Sequence, residues 1–168
     1  YDPSGTLVRA IDTAFDARDR VKQINSGGSL TKQTWDASGN LVGIMDPNTV
    51  AANGTAVTSN SYDSLKRLFK TVDLLNGVTQ YSYDTHDRLK TVSAPNGATT
   101  QYVYDDLGNL LTETSPDRGT LTYSHDAAGN VVSLRDARGV TVSYHYDALN
   151  RLTAASYSSS TENVTYTY

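Results

Sequence analysis

The dipeptide Tyr-Asp returns every 21 residues, at Tyr62-Asp63, Tyr83-Asp84, Tyr104-Asp105 and Tyr146-Asp147, with His125-Asp126 keeping the same register. A fixed period of this length means one supersecondary unit per repeat, stacked so that hydrophobic surface is covered only between neighbours. The first third carries the signal with drifted spacing. Tyr1-Asp2, Phe15-Asp16 and Trp35-Asp36 open segments of 14, 20 and 27 residues. Two regions follow: residues 1–61, with irregular spacing and an inserted loop at 46–60, and residues 62–168, with regular repeats. Both read as one continuous array and as a fragment of a longer protein.

Counting the aromatic as position one, position two is Asp in all eight units: Asp2, Asp16, Asp36, Asp63, Asp84, Asp105, Asp126 and Asp147. Position five is Gly5, Asp19, Gly39, Lys66, Asp87, Gly108, Gly129 and Asn150. Gly, Asn and Asp tolerate a left-handed backbone. A tight turn is therefore expected after each Asp, with the carboxylate accepting backbone N–H groups as in an Asx turn. Lys66 breaks the pattern, which implies strain or a different geometry there. Position six alternates among Thr6, Arg20, Asn40, Arg67, Arg88, Asn109, Asn130 and Arg151. Position seven is always a branched aliphatic: Leu7, Val21, Leu41, Leu68, Leu89, Leu110, Val131 and Leu152. That recurrence marks an inward-facing position at the start of a short strand.

A second turn follows in each unit, at Asn76-Gly77, Asn96-Gly97, Arg118-Gly119 and Arg138-Gly139, with Gly27-Gly28 and Asn53-Gly54 as earlier candidates. Asn-Gly between alternating runs is a strong hairpin signal. The return strands, such as Val78–Tyr83 and Ala98–Tyr104, are rich in Thr, Val and Tyr, which favour the extended state. No segment shows a sustained helical period, and Gly and Asn interrupt too often for long helices. The fold class is all-β, a repeat array of antiparallel hairpins.

Eleven of the twelve tyrosines lie in the Tyr-x-Tyr-Asp ladder, Tyr157 being the exception. Residues two apart share one strand face, so each return strand presents two rings on the same side. Lateral stacking of those rings is one reading, and a sugar-binding platform is the other. The apolar share is 38%, with two Phe and one Met. That suits a thin sheet better than a packed sandwich. Net charge is −4 and the basic residues are scattered, which argues against a nucleic-acid partner. No apolar run approaches the length of a membrane-spanning helix. Cysteine is absent, which excludes disulfides and thiolate metal sites and is compatible with a secreted repeat protein.

The unit beginning Tyr104-Asp105-Asp106-Leu107-Gly108-Asn109-Leu110 resembles the YD repeat, also called the rearrangement hotspot (RHS) repeat. So do Tyr83-Asp84-Thr85-His86-Asp87-Arg88-Leu89 and Tyr146-Asp147-Ala148-Leu149-Asn150-Arg151-Leu152. The resemblance covers essentially the whole chain and is strongest from Tyr62 onward. It implies a β-ribbon that curves and spirals into a hollow shell around a C-terminal toxin or effector polypeptide. The partners it implies are the rest of the same array, that enclosed domain, and components of a toxin complex or secretion system. It also implies a secreted or cell-surface location in a bacterium. Related arrays act in adhesion, so a cell-surface adhesion or carbohydrate-binding module is the alternative. The family's self-cleaving motif lies C-terminal to the array. Asp2-Pro3-Ser4-Gly5-Thr6-Leu7 resembles it only superficially, and Asp46-Pro47 lacks the following Gly-Leu, so no autoproteolysis is expected here.

No catalytic, cofactor or metal site is expected. A single Asp per turn falls short of the six to eight oxygens that calcium takes. His86, His125 and His145 lack metal spacing, and His125 reads as a ring filling a Tyr slot. No Gly-x-Ser-x-Gly occurs. Asn53-Gly54-Thr55 and Asn163-Val164-Thr165 are glycosylation sequons of low specificity. The loop 46–60 reads as leaving the sheet, with a partner contact as the alternative, and Ser156–Thr161 as a longer hairpin loop. The residues that carry the function are scaffold residues: Tyr62, Asp63 and Leu68; Tyr83, Asp84 and Leu89; Tyr104, Asp105, Gly108 and Leu110; Asp126, Gly129 and Val131; Tyr146, Asp147 and Leu152.

Overall fold

The computed structural model describes residues 11–52, 54, 57–158 and 163–168. Tyr1, Asp2, Gly5, Leu7 and the Asp2–Leu7 stretch lie outside the described residues, as do Asn53 and Thr55 of the first sequon and residues 159–161 of the tail loop. The chain divides into two compact units, Tyr1–Gln80 and Tyr81–Tyr168. In the first, β1 (Ile11–Phe15), β2 (Val21–Ser26), β3 (Ser29–Trp35), β4 (Leu41–Met45), β5 (Thr58–Tyr62), β6 (Leu68–Val72) and the start of β7 (Val78–Tyr83) are bonded in chain order. In the second the order continues through β8 (Leu89–Ser93), β9 (Thr99–Tyr104), β10 (Leu110–Ser115), β11 (Gly119–His125), β12 (Val131–Arg135), β13 (Thr141–Tyr146), β14 (Leu152–Tyr157) and β15 (Val164–Thr165). Each ladder is antiparallel. The fold is all-β, a succession of hairpins.

One short helix interrupts the strands. Residues 46–60 are not all loop: α1 (Pro47–Ala51) makes a single helical turn, and β5 begins at Thr58. Asp46 caps that turn by accepting the Thr49 N–H, and Pro47 supplies a preset φ at the first helical position. Gly54 does not close a hairpin; its N–H ends the helix on the Thr49 carbonyl.

Within each unit the described strands form a single layer. Among the described residues the only buried apolar side chain is Ala155, at 4% exposure, and no large side chain is fully buried. The faces differ in chemistry. Along β11, Leu121, Tyr123 and His125 are half-buried while Thr120, Thr122 and Ser124 are exposed. Cross-strand pairing extends both sets. Tyr102 faces Glu113, which faces Leu121, and Tyr123 faces Leu134. On the opposite side Val103, Thr112 and Thr122 line up, as do Ser133 and Ser143. One side is aromatic and aliphatic, the other rich in hydroxyls. Within each unit, cohesion among the described residues comes from the ladders and from rings and aliphatics that shield one another laterally, each cross-strand pair contributing roughly 0.2–1 kcal/mol.

Candidate functional site

The recurring element is a joint of four side chains at one edge of each hairpin. It begins with the Asp turn. In the second unit Asp84 N–H donates to the Arg88 carbonyl at 2.9 Å, and Asp87 N–H donates to the Asp84 carbonyl at 3.2 Å. The same two bonds recur after Asp16, Asp36, Asp63, Asp105, Asp126 and Asp147. Position five is left-handed in every described repeat: Asp19, Gly39, Lys66, Asp87, Gly108, Gly129 and Asn150 have φ between 58° and 90°. This is the three-residue loop in which a left-handed residue follows a type I turn. Lys66, at φ 63°, adopts the common geometry rather than a different one. Its Nζ donates to the Ser38 carbonyl at 3.0 Å.

The Asp carboxylate locks the loop. Oδ1 of Asp84 accepts the His86 and Arg88 N–H groups, at 2.8 and 3.0 Å. Asp16, Asp63, Asp126 and Asp147 repeat the pair of bonds. Oδ2 then takes the position-six side chain. Arg20, Arg67, Arg88 and Arg151 each donate Nε at 2.7 Å. Asn40, Asn109 and Asn130 donate Nδ2 at 2.8–3.0 Å. The Arg/Asn column thus has a role that its alternation alone did not reveal; the available signal was a side-chain N–H donor in every repeat after the first, which has Thr6.

These bonds hold the carboxylates well below their ordinary range. The Arg20 side chain is the main reason that Asp16 sits at about 2. At Asp84 partial burial pushes upward, but the backbone and side chain of Arg88 outweigh it and the group again lies at about 2. Asp36, Asp63, Asp105, Asp126 and Asp147 are also lowered, each by its own position-six residue.

Next comes a bulge. Tyr62 pairs with Leu68 but Ser61 pairs with Lys70, leaving Phe69 extra. Val42, Leu111, Val132 and Thr153 are the extra residues in other repeats. A bulge disrupts the local ladder, and the position-seven carbonyl beside it takes a bond from the next repeat. Tyr62 donates its phenol O–H to Leu41, Tyr104 to Leu89, Tyr146 to Val131 and Tyr168 to Leu152, all at 3.0 Å. Trp35 does the same through Nε1 to Val21, at 2.7 Å. The column therefore favours an aromatic with a donor at its far end, as Tyr and Trp35 have; Phe15 and His125 fill it without a hydroxyl. Burial pushes the pKa of the Tyr104, Tyr123 and Tyr144 phenols above the ordinary tyrosine value.

The arginines reach the same neighbour. Arg88 lies over the Tyr104 ring, 4.9 Å from its centre, and its Nη1 donates to the Asp105 carbonyl at 2.6 Å. Arg20 stacks on Trp35 at 5.6 Å and donates to Asp36, and Arg151 stacks on Tyr168 at 4.6 Å. Such contacts contribute roughly 0.5–1 kcal/mol at exposed sites.

The position-seven residues Leu68, Leu89, Leu110, Val131 and Leu152 are half-buried rather than enclosed. Tyr83 and Leu89 close β7 and open β8. His86 and His145 are exposed, whereas His125 occupies the aromatic column. The second turns are hairpins, but Asn76-Gly77 and Asn96-Gly97 are not two-residue turns. They use the three-residue loop, with the left-handed residue at Asn76 and Gly97 respectively. Gly27-Gly28 is a true two-residue turn, with φ of 58° and 89°. Among the described residues no three His, Asp or Glu side chains come together in a way that could hold a metal ion, and no helix is long and apolar enough to cross a membrane.

No curated protein matches the chain. Solved structures do. The TcdB2–TccC3 complex matches at a TM-score of 0.73 and 18% identity, over 92% of this chain and 10% of the solved one. The same complex without its hypervariable C-terminal region gives 0.72 and 18%, over 92% and 9%. The Tc holotoxin pore of Photorhabdus luminescens gives 0.71 and 17%, over 88% and 9%. The chain thus spans about a tenth of the length of these structures, and at this identity the likeness is one of fold. The family model for the RHS repeat matches twice, over residues 83–120 and 125–162. Those two stretches carry RHS, or YD, repeats, and the joint described above recurs in the strands that precede them.

Proposed function

We propose that this chain is a wall segment of an RHS-repeat shell, and that the array it belongs to encloses a C-terminal toxin or effector polypeptide. The observation that carries this reading is the repeat joint itself. The recurring polar groups of the joint are spent inside the wall: carboxylates on turn amides, position-six donors on carboxylates, and column phenols on the preceding repeat's carbonyls. Such a sheet is made to extend and to exclude, and it offers no group poised for chemistry. The commitment of the Tyr62, Tyr104, Tyr146 and Tyr168 phenols speaks against that column as a free sugar platform. The likeness to complexes containing TccC3, one of them lacking a hypervariable C-terminal region, supports a constant wall with a variable occupant. Partners in this reading are the rest of the array, the enclosed polypeptide and toxin-complex or secretion-system components. The location is secreted or cell-surface. The structural positions in Tyr62–Leu152 serve as mortar.

Cryo-EM of the longest natural polypeptide carrying this chain tests the proposal. Enclosed polypeptide density, protected from added protease until the wall is denatured, is the expected result. An open ribbon with no enclosed chain would overturn it and turn attention to glycan screening.

A further inference from the structure

Successive first turns are tied to one another, and the ties can be followed along each unit. Arg18 and Arg20 bond the carbonyls of Ala37 and Asp36 in the next turn. Lys66 bonds Ser38. Arg88 bonds Asp105. Asn130 donates to Asn150 Oδ1 at 2.9 Å, and Arg151 stacks on Tyr168. Between the turn Asp105–Asn109 and the turn Asp126–Asn130 no such bond is present among the described residues. Asn109 spends its amide on Asp105, and its Oδ1 only abuts the next turn, 3.4 Å from where a Cβ on Gly129 would sit, without a donor there.

The same junction lacks its other two fastenings. Its column aromatic is His125, which has no hydroxyl to donate to the Leu110 carbonyl, the counterpart of the Tyr104–Leu89 bond one repeat earlier. The ring is left with Nδ1 buried and without a hydrogen-bond partner. A buried polar atom left unpaired costs stability instead of adding it. With Asn at position 109, no guanidinium lies over the His125 ring either. What remains beyond the backbone ladder, among the side-chain bonds of the described residues, is an exposed Thr114–Thr120 hydroxyl bond of 3.1 Å and the Glu113–Arg118 ion pair, both toward the far end of the hairpin. Arg118 is 62% exposed there, and exposed pairs contribute little.

We propose that this junction, the β10–β11 hairpin, is a built-in seam at which the array opens first. In a repeat protein stability is close to a sum of unit and neighbour terms, so one junction missing three neighbour terms at once sets the weakest link. Local opening is drawn from such low-stability places. The seam does not depend on what the wall encloses.

Native-state hydrogen exchange of the full chain reads this directly. The amides of Thr112–Ser115 and Gly119–Ser124 are expected to exchange about tenfold faster than those of the β8–β9 hairpin, which is equally internal. The double variant Asn109→Arg/His125→Tyr, which rebuilds the stacking and the phenol bond, is expected to slow β10–β11 by a similar factor and leave β8–β9 unchanged. His125→Phe fills the slot without a donor and is expected to leave the seam fast. Equal exchange of the two hairpins in the natural chain would overturn the proposal. So would an unchanged β10–β11 in the double variant, or full restoration by Phe.

Discussion

The two edges of each unit solve the same problem, reversing a strand, in different ways. On the first edge the solution is fixed. An Asp, a left-handed residue and an Arg or Asn make one loop at every described repeat, whether the spacing between repeats is 20, 21 or 27 residues. The second edge varies freely. It uses a two-residue turn at Gly27-Gly28, a helical turn at Pro47–Ala51, an Asp loop at Asp73–Gly77 and Asp136–Val140, and a proline-bearing loop at Ala94–Ala98. The difference shows where repeat identity resides. The first edge carries the bulge, the phenol and the guanidinium that link one repeat to the next, so its geometry must recur. The second edge only has to close, and it absorbs the insertions.

Acid offers the strongest way to break the comparison, because it acts on all the first-edge carboxylates together. Their native pKa values are depressed, with Asp16 and Asp84 at about 2, against about 3.9 unfolded. A depressed carboxylate contributes stability that is present above the unfolded value and is lost as pH falls through the native one. The sheet is therefore expected to hold its circular dichroism down to about pH 4 and to lose it cooperatively between about pH 4 and pH 2. Full native signal at pH 2 would show that the first-edge carboxylates are dispensable.

Single substitutions sharpen the contrast. Asp84→Ala removes the acceptor of two backbone amides and of Arg88. It is expected to lower Tm by several degrees, on the order of 5 °C. Asn96→Ala on the second edge loses only one bond, to the Ala98 N–H, and is expected to shift Tm by at most a degree or two, on the order of its smaller loss. Equal shifts in differential scanning calorimetry would erase the distinction between the edges.

Tyr104→Phe keeps the ring and deletes the bond to the Leu89 carbonyl. A loss of about 1 kcal/mol is expected in urea unfolding. No loss would mean that the column needs only an aromatic. The smallest effect has the opposite sign. Lys66 holds a left-handed φ of 63° that other repeats give to Gly, Asn or Asp. Lys66→Gly is therefore expected to stabilise by up to about 1 kcal/mol, less whatever the exposed bond to Ser38 contributes. A destabilised variant would show that this tie between turns outweighs the backbone strain.

The array, its all-β character and its hairpin order were legible in the 21-residue period, the Tyr-Asp register and the Thr/Val/Tyr return strands. Positive φ could be anticipated at Gly39, Gly108 and Gly129 from residue type, but not at Lys66, where the surrounding loop imposes it. The short helix at Pro47–Ala51 carried its Asp-Pro start in the sequence, though one turn is too short to leave a periodic signal. The position-six column was visible as Arg or Asn without its meaning, since nothing in a linear pattern says that a donor folds back onto the carboxylate four residues earlier. The phenol bonds were hidden for the same reason: their partners lie 15 to 21 residues away and depend on a bulge that shifts register by one residue.

By itself, then, the sequence determined everything local: which residues turn, which alternate, and where each unit starts. Periodicity and backbone propensity act over a few residues and can be read in order. Only the tertiary structure decided which neighbours each side chain joins, that the aliphatics are half-covered rather than enclosed, and that His125 leaves an imidazole nitrogen and a carbonyl without the bond that its counterparts make. Those outcomes depend on cross-strand register and on whether a second layer exists, and both arise between segments rather than within them.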